Sequence, residues 1–201
     1  MNSKLGILLS GRGSNMAAIA DRIADGRLKG AEIAVVISNV AGAPGLAAAG
    51  SRGIKTMTIE SRGLKRAEHD FAVREALEAH GVELVVLAGY MRLLGPEFVR
   101  AWEGRVVNIH PSLLPAFAGL EAQEQAWEHG VKVAGCTVHL VDEELDHGVI
   151  VLQKTVAVEE GDDAEALASR ILAAEHEAYS EGIAQVLSGE WEVRGRRWVR
   201  R

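Results

Sequence analysis

Leu5-Gly6-Ile7-Leu8-Leu9-Ser10-Gly11-Arg12-Gly13-Ser14-Asn15 opens as an apolar run and ends in a glycine-bearing turn, and helical spacing begins at Met16. A strand leading through a tight turn into a helix is the first repeat of an alternating α/β fold. More short runs rich in Val, Ile and Leu follow at Glu32–Ile37, Ile54–Ile59, Glu83–Ala88 and Val106–Ile109. The segments between them, about Ser14–Ala24, Leu46–Gly53, Ala67–His80 and Pro96–Trp102, carry apolar residues at helical spacing. Strands without polar alternation need cover on both faces. A doubly wound, mostly parallel α/β sheet with helices on both faces is therefore predicted. After His110 the pattern changes. A helix over Glu121–His129 is followed by strands Val133–Val141 and Val149–Val158, joined by the polar loop Asp142–Gly148. Two strands so joined can be antiparallel, making the sheet mixed at one edge. A long amphipathic helix is predicted over Asp162–Leu187 and a small hairpin over Glu190–Val199.

The chain has 201 residues, 48% hydrophobic and 25% charged, with no repeat or Pro-rich linker, so one domain over 1–201 is expected. A net charge of −6 argues against a nucleic acid or an anionic membrane as partner. The tail Arg194-Gly195-Arg196-Arg197-Trp198-Val199-Arg200-Arg201 is basic; a solvated end is favoured over a phosphate-seeking arm. Cys136 is the one cysteine, so no internal disulfide can form, and its strand-like setting suits a small buried hydrophobe. The first residues lack a signal-peptide layout, and no apolar run approaches the ~20 residues of a membrane span. A cytoplasmic protein is expected.

Glycines in Ser10–Asn15 permit a tight turn and leave backbone N–H groups open at a helix N-terminus, where a phosphate is a natural guest. Ser14 and Asn15 can cap the helix or bind the same anion. A plain strand-to-helix turn is the competing reading. A dinucleotide fingerprint fails, because Met16 stands where its third glycine would be and Ile37-Ser38-Asn39 offers no acid for a ribose. The Gly-Lys-Ser/Thr of a Walker loop is also missing.

Val106-Val107-Asn108-Ile109-His110-Pro111 ends a strand with an amide and an imidazole two residues apart, hence on one face. Together they can hold a carbonyl oxygen as negative charge develops on it. A nearby acid would orient the ring and favour its charged form. The preferred acid is Asp146, because Gly148 permits a sharp turn behind it; Asp142, Glu143 and Glu144 fit nearly as well. Metal-ligand spacing is missing around His110, His139 and His147, so no catalytic metal is expected. Glu175 falls on the apolar stripe of the last long helix, to bind ligand hydroxyls or to pair with a core arginine.

Ser10–Asn15, Leu87-Ala88-Gly89-Tyr90-Met91-Arg92-Leu93-Leu94, Asn108-Ile109-His110-Pro111-Ser112-Leu113-Leu114-Pro115, Glu144-Leu145-Asp146-x-Gly148 and Glu175-His176 occur in this order. Over nearly its full length the chain resembles the phosphoribosylglycinamide formyltransferases, folate-dependent enzymes of purine synthesis. The resemblance implies a Rossmann-like sheet, with a phosphate-binding half at about 1–110 and a folate and catalytic-loop half at about 111–201. It implies Asn108, His110 and Asp146 as the catalytic trio. Gly13, Ser14 and Asn15 would bind the substrate phosphate, and Glu175 its ribose hydroxyls. Arg66, Met91, Arg92, Leu93, Leu94 and Asn108 would hold the folate, with backbone of the loop formed by Val141, Asp142, Glu143, Glu144, Leu145 and Asp146. The implied partners are small molecules, glycinamide ribonucleotide and 10-formyltetrahydrofolate, without a metal, in a monomer or homodimer. The family often has proline where Ala118 stands, a basic residue at Ala116 and histidine at Glu121. Two relatives that share the Asn-x-His core are longer. Formyltetrahydrofolate hydrolases carry a regulatory domain for which Met1–Lys4 leaves no room, and methionyl-tRNA formyltransferases carry a C-terminal RNA-binding domain. A non-catalytic nucleotide-phosphate binder would need the glycine loop alone.

Overall fold

A computed structural model describes residues 2–201, with strands β1 Ser3–Leu9, β2 Ala31–Ser38, β3 Thr56–Thr58, β4 Leu84–Leu87, β5 Val106–His110, β6 Val133–Leu140, β7 Ile150–Ala157, β8 Trp191–Arg194 and β9 Arg197–Arg200. Helices are α1 Ser14–Ala24, α2 Pro44–Gly50, α3 Arg66–Ala79, α4 Pro96–Ala101, α5 Ala122–Glu128 and α6 Ala164–Ser188. Seven strands join in the order β3-β2-β1-β4-β5-β6-β7, and β8 and β9 form a separate hairpin. The β1–β2, β1–β4 and β2–β3 pairs are parallel, and the β6–β7 pair is antiparallel. The expected class, a mostly parallel sheet with an antiparallel edge, is the class observed. The chain packs as two compact units, one ending at Val107 and the other spanning Asn108–Arg201.

In the first unit every residue of β4 is buried, as are Leu5 through Leu9 of β1. This continuous burial is why these strands read as unbroken apolar runs. Edge strand β3 is shorter than its apolar run, because Ile54 closes a turn onto Ala49 instead of joining the ladder. The second helix starts two residues earlier than its periodicity suggests. Pro44 stands at its first turn, where a missing N–H costs nothing, and 51–53 form the turn beyond it.

In the second unit β7 alternates between covered and exposed positions, as suits a strand with one wet face. Asp163 caps the long helix α6 by accepting from Ala166 N–H at 2.8 Å, so the helix begins at Ala164. Leu167, Ile171, Ala178, Tyr179 and Ile183 form its buried stripe. The hairpin turn is two residues, Gly195 and Arg196, between the paired Arg194 and Arg197. Among the described residues no helix is long and apolar enough to cross a membrane.

Candidate active site

The turn after β1 belongs to the first unit. Gly13 adopts φ 74 and caps α1 without a side-chain bond, so the first-turn N–H groups face out from the helix end. A Cβ on Gly13 would come within 2.7 Å of the Gly45 Cα, so both the conformation and the close approach demand glycine here. No acid occupies the first turn of α1 to oppose an anion. Asn15 is buried and Ser14 half-buried. Ser10 ties three strand ends together: its hydroxyl donates to Asn39 Oδ1 at 2.5 Å and accepts from Met91 N–H at 2.8 Å, and its own N–H bonds Gly89 O.

That tie starts the segment Met91–Leu94. Met91 is 73% exposed and Leu93 51% exposed, so this apolar run is not core. Exposed apolar side chains in a row beside a strand end suit a flat, partly apolar ligand. Arg92 Nη2 reaches Leu64 O at 3.5 Å. Arg66, on the first turn of α3, lines a different hollow of about 270 Å3 with Asp70, Phe71, Arg74, Gly95 and Phe98.

In the second unit Asn108, His110 and Asp146 come together around a fourth residue, His139. Asn108 Nδ2 lies 3.1 Å from His139 Nε2. His110 Nδ1 lies 3.4 Å and His139 Nε2 3.7 Å from the two Asp146 oxygens. The side chains of His110, His139 and Asp146 are all at least nine-tenths buried. Burial holds His139 below the ordinary imidazole pKa of 6.5, against the raising influence of its Leu140 bond and of Asp146. A neutral ring fits the bonding: Nδ1–H donates to Leu140 O at 3.0 Å, leaving the Nε2 lone pair for the Asn108 amide. His110 Nε2 donates to Phe117 O at 2.8 Å.

Asp146 is the acid beside His110, whereas Asp142 pairs with His147 at 2.8 Å and Glu143 and Glu144 are exposed. The reason for Gly148 differs from the one expected. The sharp turn is made by Asp146 itself, at φ 49, and Gly148 is needed because a Cβ there would sit 1.7 Å from Leu140 O. Gly119 N–H donates to Asp146 Oδ2 at 2.8 Å, fixing the carboxylate from the other side. Val141 is half-buried and Leu145 exposed on the same loop. Glu175 is buried on the α6 stripe, close enough to Cys136 for its charge to add to the burial that pushes that thiol up to about 12. Cys136 is thus the inert hydrophobe expected.

The formyl transferase family model matches residues 3–183. The chain belongs to the formyl transferase family. Its relatives include the trifunctional purine biosynthetic protein adenosine-3 of Gallus gallus, 44% identical over 191 residues. That match covers 94% of this chain and 19% of the chicken protein, so the chain spans less than a fifth of that relative. Phosphoribosylglycinamide formyltransferase of Bacillus subtilis (strain 168) is 40% identical, over 92% of this chain and 94% of that protein. Glycinamide ribonucleotide transformylase 1 from Symbiobacterium toebii superposes with a TM-score of 0.96 at 48% identity, covering 99% of this chain and 94% of that one.

For a formyl transferase the residues missed by sequence reasoning are Thr137 and His139, both buried on one face of β6. Thr137 Oγ1 donates to Ser112 O at 2.6 Å and accepts from Leu114 N–H at 3.0 Å, pinning the segment that follows His110. Their signal was available. In an alternating strand Thr137 and His139 are polar residues two apart, so they point the same way. The register slips opposite this pair, where Val138 faces Leu152 and His139 faces Ile150, so the extra residue, Val151, lies on β7 and the alternation of β6 is kept. Ala116, Ala118 and Glu121 lie in the stretch after Ser112, whose hydroxyl donates to Ala116 O at 2.5 Å. Phe117 and Glu121 there adopt left-handed φ of 51 and 57.

Proposed function

We propose that this protein transfers the formyl group of 10-formyltetrahydrofolate to the primary amine of 5'-phosphoribosylglycinamide, giving formylglycinamide ribonucleotide in de novo purine synthesis. The observation that carries the proposal is the cluster of half-buried Asn108 with the buried side chains of His110, His139 and Asp146, two donors for a developing oxyanion beside one carboxylate. The names of two relatives point to formyl transfer to the same ribonucleotide, and that of a third to purine synthesis.

In this mechanism the amine nitrogen bonds to the formyl carbon, the bond from that carbon to folate N10 breaks, and the amine's proton ends on N10. Asn108 gives one N–H to His139 and keeps the other for the formyl oxygen. His110 supplies the second donor, and Asp146 stabilises its charged ring. For His110 to donate through Nε2, the oxyanion must replace the carbonyl of Phe117 as acceptor. The proton passes through His110 or through a water held by Asp146. Gly13, Ser14 and Asn15 bind the substrate phosphate at the N-terminus of α1, and Glu175 takes the ribose hydroxyls. Met91, Arg92, Leu93 and Leu94, Arg66 and the 141–146 backbone receive the folate. No covalent enzyme intermediate is required; bringing both substrates together supplies much of the rate.

Measuring folate product with and without glycinamide ribonucleotide tests the reading. Deformylation that depends on the amine, and falls at least ~10²-fold in His110→Ala, is expected. Amine-independent product would make the protein a hydrolase, and no product in either condition would leave only binding.

A further inference from the structure

The basic C-terminal tail has no part in the mechanism above, yet one of its residues reaches the loop that carries Asp146. The β8–β9 hairpin is a stiff unit. Trp191 and Trp198 stack with centroids 6.3 Å apart, and Trp198 Nε1–H donates to Gln185 Oε1 on α6 at 3.2 Å. Arg194, Arg200 and Arg201 pair with Glu190 and Glu192 within the tail. Arg196, at the hairpin tip, points away from these acids. Its Nη2 donates to His147 O at 2.5 Å and its Nη1 lies 2.6 Å from His147 Nε2.

A guanidinium has only donors, so His147 Nε2 is the acceptor and its Nδ1–H remains for Asp142 Oδ2, 2.8 Å away. Asp142 in turn accepts from Glu144 N–H at 3.0 Å. The chain Arg196, His147, Asp142, Glu144 thus fastens both ends of the loop. Between its ends stands Asp146 in a left-handed conformation, uncommon for a residue with a Cβ although aspartate takes it more readily than most. The Gly119 bond fixes the Asp146 side chain, and the Arg196 bond fixes the carbonyl of the very next residue. Arg196 and Asp146 also line one cavity of about 400 Å3, with Leu114, Pro115, Leu145 and His147.

We infer that Arg196 is a positioning residue for formyl transfer, acting through His147 to keep the Asp146 carboxylate aimed at His110 and His139. This rests on the reading of Asp146 as a member of the catalytic cluster. Arg196 is exposed, so its removal spares the core.

The test is a double-variant cycle on the full chain. Arg196→Ala lowers kcat ~10-fold with the KM for glycinamide ribonucleotide unchanged, as expected of a misplaced catalytic group. Arg196→Lys recovers only part, because a single ammonium cannot reproduce the fork between carbonyl and ring. Adding Arg196→Ala to Asp146→Asn causes no further loss, since residues that act as a unit are not additive. Undiminished kcat in Arg196→Ala, or an equal further loss in the Asp146→Asn background, would overturn the inference. If Asp146→Asn alone keeps full activity, the catalytic reading of Asp146 fails. Arg196 is then judged by amide exchange in 142–148: faster exchange in Arg196→Ala upholds the clamp, and unchanged exchange removes it.

Discussion

The turn after β1 and the loop between β6 and β7 both end a strand in polar residues, but different forces shape them. The first is a backbone device. Gly13 at φ 74, its close approach to Gly45 and the start of α1 present the first-turn N–H groups, with no acidic side chain in that turn. The second is a side-chain device. Asp146 is held at φ 49 by Gly119, by Gly148 packed under Leu140 O and by the His147 bonds around it. A backbone device suits a ligand that is bound and left unchanged. A side-chain device suits a group whose charge must work during the reaction.

The largest expected effect separates these two duties. Asp146→Asn keeps the size of the side chain but loses the charge facing His110 and His139, and kcat should fall at least ~10²-fold. Ser14→Ala, on the other loop, should chiefly raise the KM for glycinamide ribonucleotide by weakening uniform binding. Steady-state kinetics on both variants checks the split. A kcat loss in Ser14→Ala equal to that of Asp146→Asn would erase the distinction.

The next effect concerns stability. Gly148→Ala places a methyl 1.7 Å from Leu140 O, and only backbone movement can relieve it. A cost of about 3 kcal/mol is expected, at the upper end for overpacking. Gly11→Ala meets nothing within 4 Å and should change stability by less than about 0.5 kcal/mol. Urea melts of the pair decide it; equal midpoints would mean that the 142–148 loop yields freely.

A third effect uses pH. His139 is held neutral by burial, its folded pKa lying below the usual 6.5. The unfolded chain therefore binds more protons than the folded one between the two values. The stability it contributes is complete above about pH 6.5 and is lost as pH falls towards the folded pKa, by up to ~1.4 kcal/mol per pH unit. His139→Gln removes that share of the acid slope. Melts of wild type and variant between pH 7 and pH 5 measure it, and parallel slopes would show that His139 protonates without penalty.

These differences also explain what could be read from the residues. The strands of the first unit were legible as apolar runs buried on both faces; the shifts there are at α2, where Pro44 sets the start, and at β3, which is shorter than its run. Asn108 and His110 were legible because they fall two apart on a strand. Asp146 was preferred over Asp142 for the turn Gly148 allows, but the reason was not legible, since it lies in Asp142 being taken by His147 and in a left-handed backbone at 146. His139 stood in plain view on the polar face of β6. Its meaning needed the pairing of β6 with β7, the bulge beside it and the Asn108 contact, all of them long-range. Arg196 shows the same limit: composition marks the tail as basic but cannot say which arginine leaves its neighbouring acids.

The smallest effect tests the backbone device where it does rely on one side chain. Ser10 Oγ bonds both Asn39 Oδ1 and Met91 N–H, so it joins the ends of β1 and β2 to the segment after β4. Ser10→Ala leaves that N–H and the Asn39 oxygen without this partner. Because Ser10 and Asn39 are half-buried and Met91 is exposed, water can replace part of what is lost. The cost should be about 1 kcal/mol, the usual net value of such bonds. If the β1–α1 turn is set by its backbone, phosphate-dependent binding of glycinamide ribonucleotide should survive this change while the KM for the folate rises, because Met91 begins the exposed apolar run. A loss of ribonucleotide binding larger than the loss of folate binding would mean that Ser10 shapes the turn itself, and the contrast between the two loops would narrow.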